Sequence, residues 1–178
     1  DPNLATRTRQ APAQVLADSI NETDQTFRLI VTNAAMLPAR VTVSPAEAIA
    51  TIFDDDDLQV QLANVGAGVA LEANGVADFE VNFVSATGVN QTEQTFSVIF
   101  QALSGNMAVA ADAGADFDDA PQTVSVTGTP TAPVVVSTAR PVTVNLVNDT
   151  INEGTENYRG QITNLQPTTV RGITIDAA

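Results

Sequence analysis

The chain has no cysteine, histidine, lysine or tryptophan, and only one tyrosine in 178 residues. Without cysteine there are no disulfides and no thiolate metal sites, and without histidine zinc and copper have no suitable ligands. A Ser-His or Cys-His nucleophile would find no base among these residue types. Paired carboxylates remain, but glycosidase clefts normally present aromatic rings to the sugar, and this chain has few; it reads as non-enzymatic. No stretch approaches the roughly 18 apolar residues of a membrane span, and the opening Asp1-Pro2-Asn3 is no signal peptide, so membrane insertion is not expected and any targeting segment is expected elsewhere. Positive charge is scarce as well. Seven arginines against 21 acidic residues give a net charge of −14, which disfavours nucleic acid and anionic lipid and suits cations.

What the chain does contain is period-two alternation. Phe27-Arg28-Leu29-Ile30-Val31-Thr32, Asp78-Phe79-Glu80-Val81-Asn82-Phe83 and Phe96-Ser97-Val98-Ile99-Phe100-Gln101 each place aromatic or aliphatic residues on one face and mostly polar ones on the other, as half-buried strands do. Leu58 to Leu62 and Val142 to Leu146 repeat the pattern, with shorter instances at Val41 to Val43 and Val124 to Val126. Gly, Pro, Asn and Thr clusters separate them, and regularly spaced short strands predict an antiparallel sandwich. Ser44-Pro45-Ala46-Glu47 has the chemistry of a capping box and predicts at most one helical turn before a strand from Ala48 to Phe53. Gly66-Ala-Gly68 is not a phosphate loop, because the Val-Ala-Leu-Glu72 that follows reads as a strand.

One phrase occurs twice. Asp18-Ser-Ile-Asn-Glu-Thr-Asp-Gln-Thr-Phe-Arg28 returns as Asp149-Thr-Ile-Asn-Glu-Gly-Thr-Glu-Asn-Tyr-Arg159, at an offset of 131 residues (149 − 18 = 131), and Thr32-Asn33 recurs as Thr163-Asn164. The repeat marks two modules. An internal boundary is expected at Asp54-Asp55-Asp56-Asp57, where adjacent like charges repel; either a solvated turn or a cation site where modules meet explains the run. Asn21-Glu-Thr23, Asn90-Gln-Thr92 and Asn148-Asp-Thr150 fit the N-glycosylation rule, a weak signal in a chain rich in Asn and Thr.

These elements together resemble the Calx-beta module, known from sodium–calcium exchangers and from large bacterial and archaeal surface proteins. Asn152-Glu153-Gly154-Thr155-Glu156-Asn157-Tyr158, Ile52-Phe53-Asp54-Asp55-Asp56 and Asp112-Ala-Gly-Ala-Asp116-Phe117 carry the resemblance. It implies an all-β, antiparallel immunoglobulin-like sandwich, with strands shared between incomplete modules. On that pattern residues 1–57 supply the last three or so strands of one module, and residues 58–178 supply a second module without a clear final strand. Gly172 to Ala178 either begins that strand or is a stub.

The resemblance also implies a ligand set for Ca2+: a glutamate in the first strand, Glu72; Asp116 before the aromatic; the paired Glu153 and Glu156; and Asp54, Asp55 and Asp56 closing the N-terminal module. In the first copy Glu22 matches Glu153, whereas Gln25 stands where Glu156 does. Asp118 and Asp119 are further carboxylates that a solvated loop explains equally well. The expected role is a structural repeat or subunit of an extracellular filament, adhesin or surface layer. Its partner would be itself, as homopolymer or tandem neighbour, joined by strand complementation and stiffened by calcium. A soluble calcium-binding regulatory module is the alternative.

Overall fold

In the computed structural model the described residues are 10–31, 47–66, 70–89, 91–105, 111, 114–151 and 155–176. Along the chain the strands are β1 (Ile20–Asn21), β2 (Gln25–Ile30), β3 (Glu47–Ile52), β4 (Leu58–Asn64), β5 (Val76–Val84), β6 (Gln91–Thr92), β7 (Thr95–Ser104), β8 (Gln122–Thr127), β9 (Val134–Val135), β10 (Arg140–Asn145), β11 (Tyr158–Gln166) and β12 (Ile173–Ile175). The alternating segments that predicted strands lie in them but for a residue or two at the ends of Phe27 to Thr32, Ala48 to Phe53 and Val142 to Leu146; Thr32 and Val41 to Val43 fall outside the described residues. So do Ser44 to Ala46 of the expected helical turn, while Glu47 already opens β3.

Alternation builds the core because successive side chains on a strand point to opposite faces of its sheet. On β7 this buries Phe96, Val98, Phe100 and Ala102; on β5 it buries Ala77, Phe79 and Val81; on β4, Leu58 and Val60. Two sheets carry these residues. One has the order β10-β5-β4-β12 and the other β11-β7-β8. Between them Phe79 meets Phe100 at 5.2 Å between ring centroids and meets Tyr158 edge-on at 5.9 Å. Phe117 lies 5.7 Å from Tyr158 on the other side. Tilted and edge-on rings of this kind add to the burial of their own area.

Most pairings are antiparallel, as expected, but β12 runs parallel to β4 and β1 runs parallel to β6. Gly172 to Ala178 therefore does contribute a strand, through Ile173 to Ile175, and it closes the β4 edge of the first sheet. The β1-β6-β9 ribbon is small, and β2 and β3 form a separate antiparallel hairpin. Glu72 departs from expectation. It lies not in a strand but in a short 3-10 turn, Glu72–Asn74, that ends when Gly75, at φ 70°, donates its N–H to the Glu72 carbonyl at 2.7 Å. A positive φ is easy only for glycine, so Gly75 fixes the turn where the sequence suggested extension.

Gly160 is required for a different reason. A Cβ there would come within 2.6 Å of Leu62 Cδ2 and 2.9 Å of Phe100 Cε2, so β11 crosses the core at a point with no room for a side chain. Truncating Phe100, which is fully buried, is expected to destabilise the chain by roughly 3–5 kcal/mol in denaturant unfolding. Ile49→Ala, at a residue 65% exposed on β3, should change it by less than about 1 kcal/mol.

Candidate functional site

Beside the β1-β6 pairing, the N-terminal segment meets the sandwich around one buried amide. Asn21, in the repeated phrase, is fully buried. Its Nδ2 donates to the Asp56 carbonyl at 2.6 Å and to the Arg171 carbonyl at 3.2 Å. Its Oδ1 accepts from Thr92 Oγ1 at 2.9 Å and from Gln94 Nε2 at 2.6 Å. Gln94 in turn donates to the Arg171 carbonyl at 2.7 Å and accepts the Arg171 N–H at 2.7 Å. Every polar atom of the Asn21 amide is thus satisfied in a buried setting, where an orphaned group would be expensive. Gly172, at φ 62°, lets the backbone pass: a Cβ there would sit 2.5 Å from Asp57 Oδ1 and 3.1 Å from Asn21 Nδ2.

This lock holds the acidic run against the same end of the sandwich. Glu22, Asp54, Asp55 and Asp56 line a cavity of about 600 Å³ together with Asp18 and Phe53. Asp56 is buried and accepts from Thr87 Oγ1 at 3.2 Å, while Asp54 Oδ2 is buried with no hydrogen-bond donor. Arg171 lies beside them, with Nε 3.4 Å from Asp24 Oδ1 and its guanidinium 5.7 Å from the Phe53 ring centre. Burial pushes the carboxyl of Glu22 above its ordinary pKa, reinforced by Glu93, Asp18 and Asp54. Burial likewise raises Asp54, with Asp56 and Asp55 adding repulsion against backbone N–H donors that pull the other way. Asp56 is also raised by burial, partly offset by the Thr87 hydroxyl.

The other expected ligands gather elsewhere. Glu72, Asp116 and Glu156 line a second cavity of about 510 Å³ with Phe117, Leu146 and Tyr158. Asp116 is positioned by the bridge between Phe117 and Leu146, and its carbonyl accepts the Val147 N–H at 2.9 Å. Burial, aided by Asp78, raises the Tyr158 phenol. Glu153 lies outside the described residues. The first cluster precedes Leu58 at the start of β4, and the second adjoins a groove that reaches Asn64 at its end. At about 3.3 Å per residue the two poles stand roughly 20 Å apart. Among the described residues no three acidic side chains converge on a single metal-sized position.

The sequence did not single out Thr92 and Gln94 as partners of Asn21, nor Glu93 as a neighbour of Glu22. Asn21, beyond its place in the repeated phrase, and the Thr92 triplet stood out as glycosylation acceptors, and for Asn21 that reading is corrected: a fully buried amide engaged at both ends is not accessible in the folded chain. Asn90 lies outside the described residues, and Asn148 is exposed.

The comparisons bear on this arrangement of two acidic poles on a β-sandwich. The Calx-beta domain family matches residues 5–56 and 59–175. The chain belongs to the Calx-beta family. Among solved structures, one titled "Crystal structure of Apo-form Calx CBD1 domain" shares 16% identity, covers 66% of this chain and 88% of its own, and superposes with a TM-score of 0.45. No curated protein matches. The family is one of binding and regulatory modules rather than catalysts, and among the described residues no helix is long and apolar enough to cross a membrane.

Two outcomes test this joint. Asn21→Ala orphans the Thr92 and Gln94 groups at about 1–3 kcal/mol each, and should speed tryptic cleavage after Arg28 by detaching the N-terminal segment. The raised carboxyls of Glu22, Asp54 and Asp56 mean that the folded chain binds more protons than the unfolded one just above the ordinary carboxylate range. Stability from these groups is therefore present at low pH and lost as pH rises through the raised values. Between about pH 4 and pH 7 the melting temperature of the native chain should fall relative to a Glu22→Gln, Asp54→Asn, Asp56→Asn variant.

Proposed function

We propose that the chain is a non-catalytic structural segment of the cell exterior. It serves as a repeat or subunit of a filament, adhesin or surface layer, in which Calx-beta modules join through shared strands and calcium stiffens the joints. The observation that carries this reading is the joint itself. A buried amide fixes the tail of one module to the body of another and holds a mutually repelling acidic run between them. Four aspartates at such a place destabilise a joint that stands alone and stabilise one that takes up a cation.

The donor type at both poles is the one calcium takes. The donors are all oxygen, and the buried Asp54 Oδ2 has no donor of its own. Asp54, Asp55 and Asp56 with Glu22 would hold calcium at the joint, and Glu72, Asp116 and Glu156 would hold it at the far pole. Bound there, calcium supplies positive charge that cancels carboxylate repulsion. An extracellular setting is consistent with a cysteine-free, strongly acidic surface that stays soluble in salt.

Calorimetric titration with calcium chloride tests the metal. Saturable binding is expected, with a rise in melting temperature of roughly 5–10 °C at a hundredfold excess over Kd, and with Asp54→Asn plus Asp56→Asn weakening it. Neither heat nor shift at millimolar calcium would remove calcium from the reading. Electron microscopy over a wide concentration range tests assembly. Ordered polymers support it, whereas a chain that remains monomeric and changes shape with calcium favours a soluble regulatory module.

A further inference from the structure

The sheet β11-β7-β8 ends on β11, and among the described residues no strand pairs with its outer side. β11 runs for nine residues, Tyr158–Gln166, and Tyr158, Ile162 and Leu165 pack on the core. Up to the irregularity between Thr163 and Gln166, where Asn164 takes φ 55°, it has no proline and only one charge, Arg159, so its first six residues lack the usual devices that keep an open edge from pairing. An unprotected edge over a built core invites another strand.

The repeat identifies which strand. Shifted by the repeat offset, Phe27 and Arg28 of β2 coincide with Tyr158 and Arg159 of β11, and β2 does have a partner. It pairs antiparallel with β3, with Phe27 opposite Ala50, Arg28 opposite Ile49, Leu29 opposite Ala48 and Ile30 opposite Glu47. Arg28 Nη1 also reaches Glu47 Oε2 at 3.4 Å. This hairpin is poorly supported. Every residue of β3 from Glu47 to Thr51 is exposed, and Leu29, Ile30 and Val31 are about half exposed.

We propose that the outer edge of β11 is a docking site for β3 of a second copy of this chain, in the register that β3 already uses with β2. The inference deepens the assembly reading above and rests on it. Ala50 would lie opposite Tyr158, Ile49 opposite Arg159, Ala48 opposite Gly160 and Glu47 opposite Gln161. Exchange conserves the pairing, since one open edge on β2 replaces one open edge on β11. Arg159 takes the place of Arg28 beside Glu47, so the ion pair is conserved too. The gain is apolar. Cross-strand partners share a face, so Ala48, Ala50 and Ile52 move from an exposed hairpin to the face that Tyr158 and Ile162 turn toward a core.

The acidic run Asp54–Asp57 then acts as the hinge between the donated strand and the donor's own β4. Ile52 reaches the level of Glu156, and the aspartates that follow come to the pole of the acceptor where Glu72, Asp116 and Glu156 line the cavity. The near pole of one copy meets the far pole of the next, a heterologous contact that repeats without closing. Carboxylates approach one another across it, so divalent cations should strengthen docking.

A chain without cysteine gives a clean test. An Ile49→Cys chain mixed with an Arg159→Cys chain and oxidised should form a disulfide-linked pair, at a yield several-fold above that of Ile49→Cys mixed with Thr163→Cys, which probes a shifted register. Both sites are exposed, so folding is not at stake. Arg159→Glu should weaken self-association in sedimentation several-fold, and pairing it with Glu47→Arg should restore it. Ordered polymers without the register-specific link would overturn this docking and leave assembly standing; monomers alone would overturn both. Equal linking in calcium and in chelator would support the docking and remove the metal from it.

Discussion

The buried amide of Asn21 is the constraint on which the arrangement depends. It reaches two carbonyls, Asp56 and Arg171, that are 115 residues apart in the chain, and two side chains, Thr92 and Gln94, from a third region. Because it accepts and donates at once, no apolar residue of similar size could replace it, and no single hydrogen-bonding partner could take all its bonds. The small β1-β6-β9 ribbon, the position of the acidic run and the passage of the chain at Gly172 all meet at this amide. An apolar contact would hold the two parts together over many orientations. A saturated polar one holds them in a single geometry.

Charge works against that fixity. Glu22, Asp54 and Asp56 are all pushed toward protonation by burial and by neighbouring carboxylates, and Arg171 reaches the group through Asp24 and the Asp54 carbonyl. The lock and the repulsion are neighbours, so the amide fixes the geometry at the place where the carboxylates oppose it. At the far end Glu72, Asp116 and Glu156 share their cavity with Phe117, Leu146 and Tyr158, so acids there stand beside an apolar wall. The two poles are chemically alike in their donors and unlike in what backs them.

Much of this was legible in the residues. Alternation in β4, β5, β7 and β10 stated the sandwich because a half-buried strand leaves a period of two that few other structures imitate. The repeated phrase and the aspartate run were visible in the residues because those patterns are local. What was hidden depends on partners far away in the chain. Nothing in Ile20-Asn21 marks a parallel pairing with Gln91-Thr92, and a polar asparagine near a turn looks like any exposed one until Gln94 and Arg171 close over it. Glu72 was read as extended because Val-Ala-Leu precedes it. Gly75, three residues on, decided otherwise through a single left-handed conformation.

The placement of β4 has a mechanical side. The acidic run feeds directly into Leu58, and β4 has β5 on one flank and β12 on the other, with the Leu58 N–H bonded to the Gly172 carbonyl at 2.7 Å. A pull transmitted through Asp54–Asp57 along the strand axis would load both ladders in shear, where all bonds resist together. The same pull on an edge strand would peel it open one bond at a time. Tension thus enters this molecule at the strand best placed to bear it.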